Sequence, residues 1–308
     1  MILEQMSQEL NLPVTFIAGL AVGASHEYRT FTIPKRNGSR RTIYHPSRRL
    51  KALQRWLLLK IIEPLPIHDA AMAYRRNTSI LENAERHVNS RYLLRLDFQS
   101  FFESITEHDV RLYISDHQPY FDGWPASDVD VFCRLICRNG ALTIGAPTSP
   151  ALSNRVCFEL DQRIDGYCQG QGITYTRYAD DLFFSTNHKG VLRLLEDEVP
   201  RVCAALRFPA NLRVNLAKTR HASKRRARRV TGIVLGSDAR AHIGRSLKRR
   251  IRTQIYRLET LDEKQRSSLS GLIAYAVGLD PNFMNSLINK YGLAKVRQAQ
   301  LLPDSDVD

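Results

Sequence analysis

Tyr178-Ala179-Asp180-Asp181 stands between two runs rich in strand-forming residues, Ile173-Thr174-Tyr175-Thr176-Arg177 and Leu182-Phe183-Phe184-Ser185. These runs predict a β-hairpin with the paired aspartates at its tip. Adjacent carboxylates repel each other unless a cation neutralises them, which makes them candidate ligands for a hard divalent ion. An isolated Asp-Asp pair is usually a turn or a solvated charge. Asp97 changes that balance, because it ends another apolar run, Tyr92-Leu93-Leu94-Arg95-Leu96, and brings a third carboxylate to a strand end. Three such aspartates can hold two Mg²⁺ ions that activate an attacking hydroxyl and stabilise the leaving oxygen in phosphoryl transfer.

The 308 residues can bury a sizeable core and hold more than one subdomain. An apolar fraction of 43% and a charged fraction of 25% are those of a folded, soluble protein. The net charge of +14 and pI near 9.8 imply a polyanionic partner, nucleic acid before an anionic membrane surface. The strongest apolar run, Trp56 to Ile62, is interrupted by Lys60 and stopped by Pro64, so no membrane span is expected. The first residues lack a basic segment leading into an apolar one, which leaves a cytoplasmic protein as the expectation. Cys133, Cys137, Cys157, Cys168 and Cys203 are odd in number and contain no Cys-x-x-Cys pair, and they read as core thiols in a reducing compartment.

Phe16, Ile17 and Leu20 have helical spacing, after which Tyr28 to Ile33 and Arg41 to Tyr44 flank the turn signal Asn37-Gly38. Nine Lys or Arg residues and no acid lie between Lys35 and Lys60, which suits a cationic hairpin followed by a basic helix over Leu50 to Ile62. Further helices are expected over Val110 to Asp116, Val129 to Cys137 and Val191 to Leu206. Ser149 is expected to cap a helix whose first position is Pro150 and which runs to Ile164. Short strands are expected at Leu212 to Val214 and Val230 to Leu235, and helices from Ser246 onward.

Leu96-Asp97-Phe98-x-x-Phe101-Phe102, Gly145-Ala146-Pro147-Thr148-Ser149-Pro150 and Tyr178-Ala179-Asp180-Asp181 have the order and spacing of the palm motifs of reverse transcriptases. The chain resembles that family from about Tyr28 to Gly236. The resemblance implies an α+β right-hand polymerase: N-terminal helices and fingers over 1–90, a palm with interleaved fingers helices over 91–236, and a helical thumb over 237–308. It further implies that Asp97, Asp180 and Asp181 bind both Mg²⁺ ions, with the Phe98 carbonyl as a further ligand. Lys35 and Arg41, with Arg40 as alternate, would grip the incoming triphosphate, and Lys218 in Asn215-x-x-Lys218-Thr219 would protonate the leaving pyrophosphate. Phe102 would lie beneath the sugar and favour deoxyribonucleotides (dNTPs), with Phe101 in the core. Gly145 and Ala146 would lie against nucleotide and template, while Ile144 replaces the glutamine found there in many members.

Two more segments resemble the retron branch of that family, Asn83-Ala84-Glu85-Arg86-His87 and Val230-Thr231-Gly232. This resemblance implies copying of a cognate structured noncoding RNA into branched DNA from a 2′-hydroxyl, giving an RNA–DNA product. It also implies a role in antiphage defence with a separate effector protein. Lys218 to Arg229 holds seven Lys or Arg residues and no acid, and Lys248-Arg249-Arg250-x-Arg252 follows on an expected helix. Asn83, His87, Arg225, Arg226, Arg228, Arg229, Val230, Thr231, Gly232, Lys248, Arg249, Arg250 and Arg252 are therefore the RNA-binding candidates. The alternatives are another compact prokaryotic reverse transcriptase, of group II intron-related or phage-defence type, and a non-catalytic RNA-binding scaffold that restrains an effector.

Overall fold

The computed structural model describes residues 1–34 and 38–301. They divide into two compact units, one of Met1–Thr78 with Leu94–His221, the other of Ser79–Leu93 with the chain from Ala222. This division runs along a different line from the expected boundaries near 90 and 236. Residues 79–90 and 222–236 belong by their packing to the unit that carries the C-terminal helices.

In the first unit β1 (Tyr28–Pro34) and β2 (Arg40–Pro46) form an antiparallel hairpin in register from Tyr28 opposite Pro46 to Pro34 opposite Arg40. Ser47 then caps the helix Arg48–Leu57, its hydroxyl accepting from the Leu50 amide at 3.3 Å, and a π turn over Leu58–Ile62 completes the expected helix. The strands β3 (Tyr92–Asp97), β4 (Thr174–Tyr178), β5 (Asp181–Thr186) and β6 (Arg220–Ser223) make a sheet in the order β4-β5-β3-β6, β3 belonging to this unit from Leu94 and β6 as far as His221. Leu182, Phe183 and Phe184 are consecutive and all buried, because this sheet is covered on both faces.

The expected helix from Pro150 to Ile164 is instead two helices, Thr148–Val156 and Phe158–Gly170, divided at Cys157. Pro147 takes the cap position, and the Ser149 hydroxyl accepts from the Thr143 amide at 3.2 Å, so it pins the preceding loop. Leu212 to Val214 forms no regular strand. Val214 makes one bridge opposite Phe98, supported by the Gln99 amide donating to the Arg213 carbonyl at 2.8 Å.

In the second unit β7 (Arg228–Val230), β8 (Ile233–Leu235) and β9 (Ala241–His242) form a small antiparallel sheet. The expected single strand over Val230 to Leu235 is a hairpin, since Thr231 and Gly232 take φ of 48° and 89° and turn the chain between paired Val230 and Ile233. Helices Arg245–Tyr256, Glu263–Leu279, Asn282–Tyr291 and Leu293–Gln300 close around Ile251, Ile255, Leu269, Ile273, Phe283, Leu287 and Val296. Among the described residues no helix is long and apolar enough to cross a membrane. All five cysteines are free and buried, and burial pushes the Cys133 thiol up to about 12.

The first unit is organised around a charge pair with no exposure to water. Arg177 on β4 donates to both carboxylate oxygens of Asp161, at 2.8 and 2.6 Å, and both side chains are 0% exposed. Tyr175 donates to the same carboxylate at 2.8 Å. Removing one member strands the other charge, so Asp161→Ala is expected to cost about 3–5 kcal/mol. The urea midpoint of the first unit's unfolding reads this, and an unchanged midpoint would show that the pair does not hold the unit together.

Candidate active site

The two-residue turn Ala179-Asp180 joins β4 to β5 and leaves Tyr178 opposite Asp181. Ala179 adopts a φ of 57°, a conformation that costs a residue with a Cβ about 1–2 kcal/mol. It is held there from below, because Arg177 also donates to the Ala179 carbonyl at 3.3 Å. From the side, the Phe98 amide donates to the Asp180 carbonyl at 2.9 Å, which fixes the end of β3 against the hairpin tip. The three aspartates expected from sequence are thereby brought to adjoining positions on neighbouring strands.

Asp97 is 2% exposed, and its Oδ1 accepts from Lys218 Nζ at 2.6 Å. Lys218 ends a 3₁₀ turn whose entry is set by the Asn215 amide donating to the Asp97 carbonyl at 2.7 Å. Arg95 donates twice to Asp181 Oδ1, at 2.9 and 2.7 Å, and stands 3.8 Å from Asp97 Oδ2. Arg95 was not singled out in the sequence. Period-two alternation was the available signal, since residues 95 and 97 share a face of β3.

Burial raises the Asp181 carboxyl to about 6 against the opposing pull of Arg95. Burial likewise raises Asp180, with the charge of Asp97 adding to it. Among the described residues no group of three or more His, Cys, Asp or Glu stands as a ready metal cage, and Lys218 and Arg95 balance the aspartates. The donor set nevertheless fits hard divalent cations, because it offers oxygen atoms, three carboxylates among them, crowded closely enough that positive charge is favoured.

Beside these carboxylates lies a cavity of about 610 Å³ lined by Arg40, Arg41, Tyr74, Phe102, Asp180 and Lys218 among others. Phe102 is half-buried at its wall while Phe101 is buried behind it. Lys35 lies outside the described residues. Ile144, in the place of the glutamine, lines the cavity, but Gly145 and Ala146 are not among its lining residues. Ala146 is buried, and Gly145 has a different job: a Cβ there would stand 2.4 Å from the Tyr44 carbonyl oxygen, and its φ is 112°. Only glycine lets β2 approach this loop, where the Tyr44 amide donates to the Ile144 carbonyl at 2.9 Å. Tyr74 was missed in the sequence, since no local pattern marks it.

The RNA-binding candidates separate into surface and interior. Arg225, Arg226, Arg229, Arg249 and Arg250 are exposed. Lys248 pairs with Asp280 at 2.8 Å and Arg252 donates to Ser286 at 2.9 Å, both beside the Phe283 ring. Asn83, His87, Arg228 and Val230 are buried, which removes their side chains from direct contact with RNA. Burial lowers the His87 imidazole to about 3, so it is neutral at pH 7. Arg228 spends its donors on the carbonyls of Ser90 and Gly236. Thr231, half-buried, donates to the Ile80 carbonyl at 3.4 Å, so the turn of one signature lies on the helix Ile80–Glu85 of the other. Of the two segments, Glu85, Arg86 and Gly232 are at the surface, with half-buried Thr231 beside Gly232.

A carboxyl whose folded value lies above its unfolded value of about 3.9 favours folding in its protonated form. That contribution is present in full below pH ~4 and is lost as pH rises through about 6 for Asp181. A divalent cation that bound only the folded cluster would restore stability where the carboxylates are ionised. MgCl2 is therefore expected to raise the melting temperature at pH 7.5 more than at pH 5 in chelator-treated protein, and to have less effect on Asp180→Asn. Equal shifts at both pH values and in the variant would remove the cluster as the cation site.

Residues 33–235 match the family described as reverse transcriptase (RNA-dependent DNA polymerase). The chain is 35% identical over 281 residues to the retron Ec83 reverse transcriptase of Escherichia coli, covering 89% of each. It is 30% identical over 307 residues to the retron Ec86 reverse transcriptase of Escherichia coli, covering 97% of this chain and 93% of that one. To the retron Ec73 reverse transcriptase of the same organism it is 34% identical over 275 residues, covering 85% and 86%. Reverse transcriptases generally use divalent metal ions, in keeping with the carboxylate cluster. A match across most of the chain, placed on a hairpin and cavity of this chemistry, means that the chain belongs to the reverse transcriptase family, as a retron-type RNA-directed DNA polymerase of α+β, right-hand fold.

Proposed function

We propose that this polymerase copies part of one cognate structured noncoding RNA into DNA, starting from a 2′-hydroxyl of that RNA, and so makes branched multicopy single-stranded DNA (msDNA). It serves antiphage defence in the cytoplasm, with a separate effector protein. The observation that carries the chemistry is the convergence of Asp97 and Asp180 beside the cavity that Arg40, Arg41 and Phe102 line.

Asp97, Asp180 and Asp181, with the Phe98 carbonyl as a further ligand, would hold two Mg²⁺ ions, and these would supply activation of the primer hydroxyl and charge stabilisation on the leaving oxygen. Arg41, beside Arg40, binds the triphosphate of the incoming dNTP, with Lys35 of the same basic stretch of sequence as its partner. Phe102 lies beneath the sugar and leaves no room for a ribose 2′-hydroxyl. Lys218, held 2.6 Å from Asp97, gives its Nζ proton to the pyrophosphate oxygen as that group departs. Exposed Arg225, Arg226, Arg229, Arg249 and Arg250 meet RNA phosphates, and the Thr231-Gly232 turn meets the RNA beside them.

Asp180→Asn keeps the shape of the side chain and weakens its hold on cations, so it is expected to lower DNA synthesis at least about a hundredfold. Melting temperature and RNA affinity stay near wild type. Near-normal synthesis in Mg²⁺ would overturn the two-ion assignment. For the product, nucleic acid that copurifies with the protein is expected to carry a 2′,5′ branch sensitive to debranching enzyme. A DNA end primed from an ordinary 3′-hydroxyl would remove the branched-DNA proposal and leave the polymerase in place.

Changing Arg225, Arg226 and Arg229 to Ala is expected to flatten the dependence of log affinity on log salt by about 0.7–0.9 for each phosphate that is no longer neutralised. An unchanged slope would take these residues off the RNA. Arg228→Ala instead lowers the melting temperature, because the Ser90 and Gly236 carbonyls lose their donor.

A further inference from the structure

Tyr74 combines an unusual backbone with an unusual position. Its φ is 56°, a region that residues with a bulky side chain rarely occupy and that persists only where surrounding contacts impose it. Those contacts are present on both sides. The Met72 amide donates to the Arg177 carbonyl at 2.8 Å, and Asn154 Nδ2 donates to the Ala73 carbonyl at 2.7 Å. Thr78 Oγ1 lies 3.0 Å from the Met72 carbonyl and 2.9 Å from that of Arg75, bracketing the residue from beyond. Ala73 is buried by this anchoring, while Tyr74 is 47% exposed and lines the cavity.

The ring has a specific neighbour. Its centroid lies 6.4 Å from that of Phe102 at a tilt of 44°, and Phe102 continues to Phe101 at 5.4 Å and from there to Phe98 at 5.9 Å. Phe101 in turn lies under the Arg177 guanidinium at 5.8 Å, so the buried pair that braces the catalytic hairpin also backs this aromatic row. Burial raises the Tyr74 phenol, with the charge of Asp180 adding to that effect and Arg41 opposing it. The phenol therefore stays protonated. A protonated ring fixed at this point adds bulk beside Phe102 without adding charge near a triphosphate.

We propose that Tyr74 is a specificity-determining residue that forms, with Phe102, a two-ring wall against the ribose 2′-hydroxyl of the incoming nucleotide. The strained backbone keeps the second ring against the first, so that Phe102 cannot tilt aside to admit a ribonucleotide. Nucleotide selection in this chain then depends on how the loop from Met72 to Thr78 is anchored, as well as on Phe102 itself. This rests on the placement of Phe102 beneath the sugar.

The test is single-nucleotide addition to an annealed primer by purified full-length variants, comparing kcat/KM for a deoxynucleotide and its ribonucleotide. Tyr74→Gly removes the ring and suits the left-handed backbone, and Tyr74→Asn, which also tolerates that backbone, serves as a second variant if the first fails to fold. Either is expected to lower deoxynucleotide selectivity about tenfold, with Tyr74→Phe keeping it. Combined with Phe102→Ala, the losses are expected to be less than multiplicative, because both changes open the same wall. If Phe102→Ala relaxes selection while Tyr74→Gly and Tyr74→Asn leave it at the wild-type value, Tyr74 has no part in it and the proposal fails. Loss of selectivity in Tyr74→Phe equal to that in Tyr74→Gly would also overturn it, since the hydroxyl would then be the selecting group. No effect of Phe102→Ala would remove the placement of Phe102 on which the proposal stands.

Discussion

The bidentate pair between Arg177 and Asp161 is the constraint from which the first unit's geometry follows. Two opposite charges with no water contact have no tolerable alternative to each other, because separation leaves each in a medium of low polarizability. A buried pair of this kind adds little net stability over well-packed apolar side chains. What it does in the fold is join β4 to the helix Phe158–Gly170 at a defined point. The same guanidinium reaches the Ala179 carbonyl and Asn154, and Asn154 reaches the Ala73 carbonyl. One interior charge thus sets the turn that carries Asp180 and the loop that carries Tyr74.

Crowding three aspartates is electrostatically unfavourable, and the chain manages it with cations of its own. Lys218 engages Asp97 while Arg95 engages Asp181, so the site is balanced on two sides and open towards the cavity. These pairings are short but include partly exposed basic side chains, so water screens them and they remain exchangeable. A divalent ion can therefore displace or join them without unfolding anything. The backbone bears the rigid part of the arrangement, through Phe98 to Asp180 and Asn215 to Asp97.

The second unit divides its basic residues between two tasks. Arg228 is interior and serves carbonyl groups that would otherwise lack a donor, while Arg225, Arg226 and Arg229 face water. The segments Asn83–His87 and Val230–Gly232 are far apart in the chain and are joined through Thr231 and Ile80. Asn83, Ala84, His87 and Val230 are buried, so these side chains hold the turn in place from inside.

The hairpin that carries Asp180 and Asp181 was legible in the chain because strand-forming runs flank a short polar break, while the inclusion of Tyr178 and Asp181 in its strands, which leaves a two-residue turn, is seen only in the structure. The helical C-terminal region was legible from its apolar spacing. The sequence grouped Arg228 with Arg225, Arg226 and Arg229 as RNA contacts, and only the strand β7, which puts Arg228 on the face of buried Val230, separates it from exposed Arg229. Only the tertiary structure decided that Gly145 serves the approach of β2, that Ser149 pins a loop, and that Tyr74 stands beside Phe102. Local pattern reports which face of an element is apolar and where the chain must turn. It carries no record of which distant carbonyl or ring fills the space opposite, and that is settled when the elements pack and every buried polar group must find a partner.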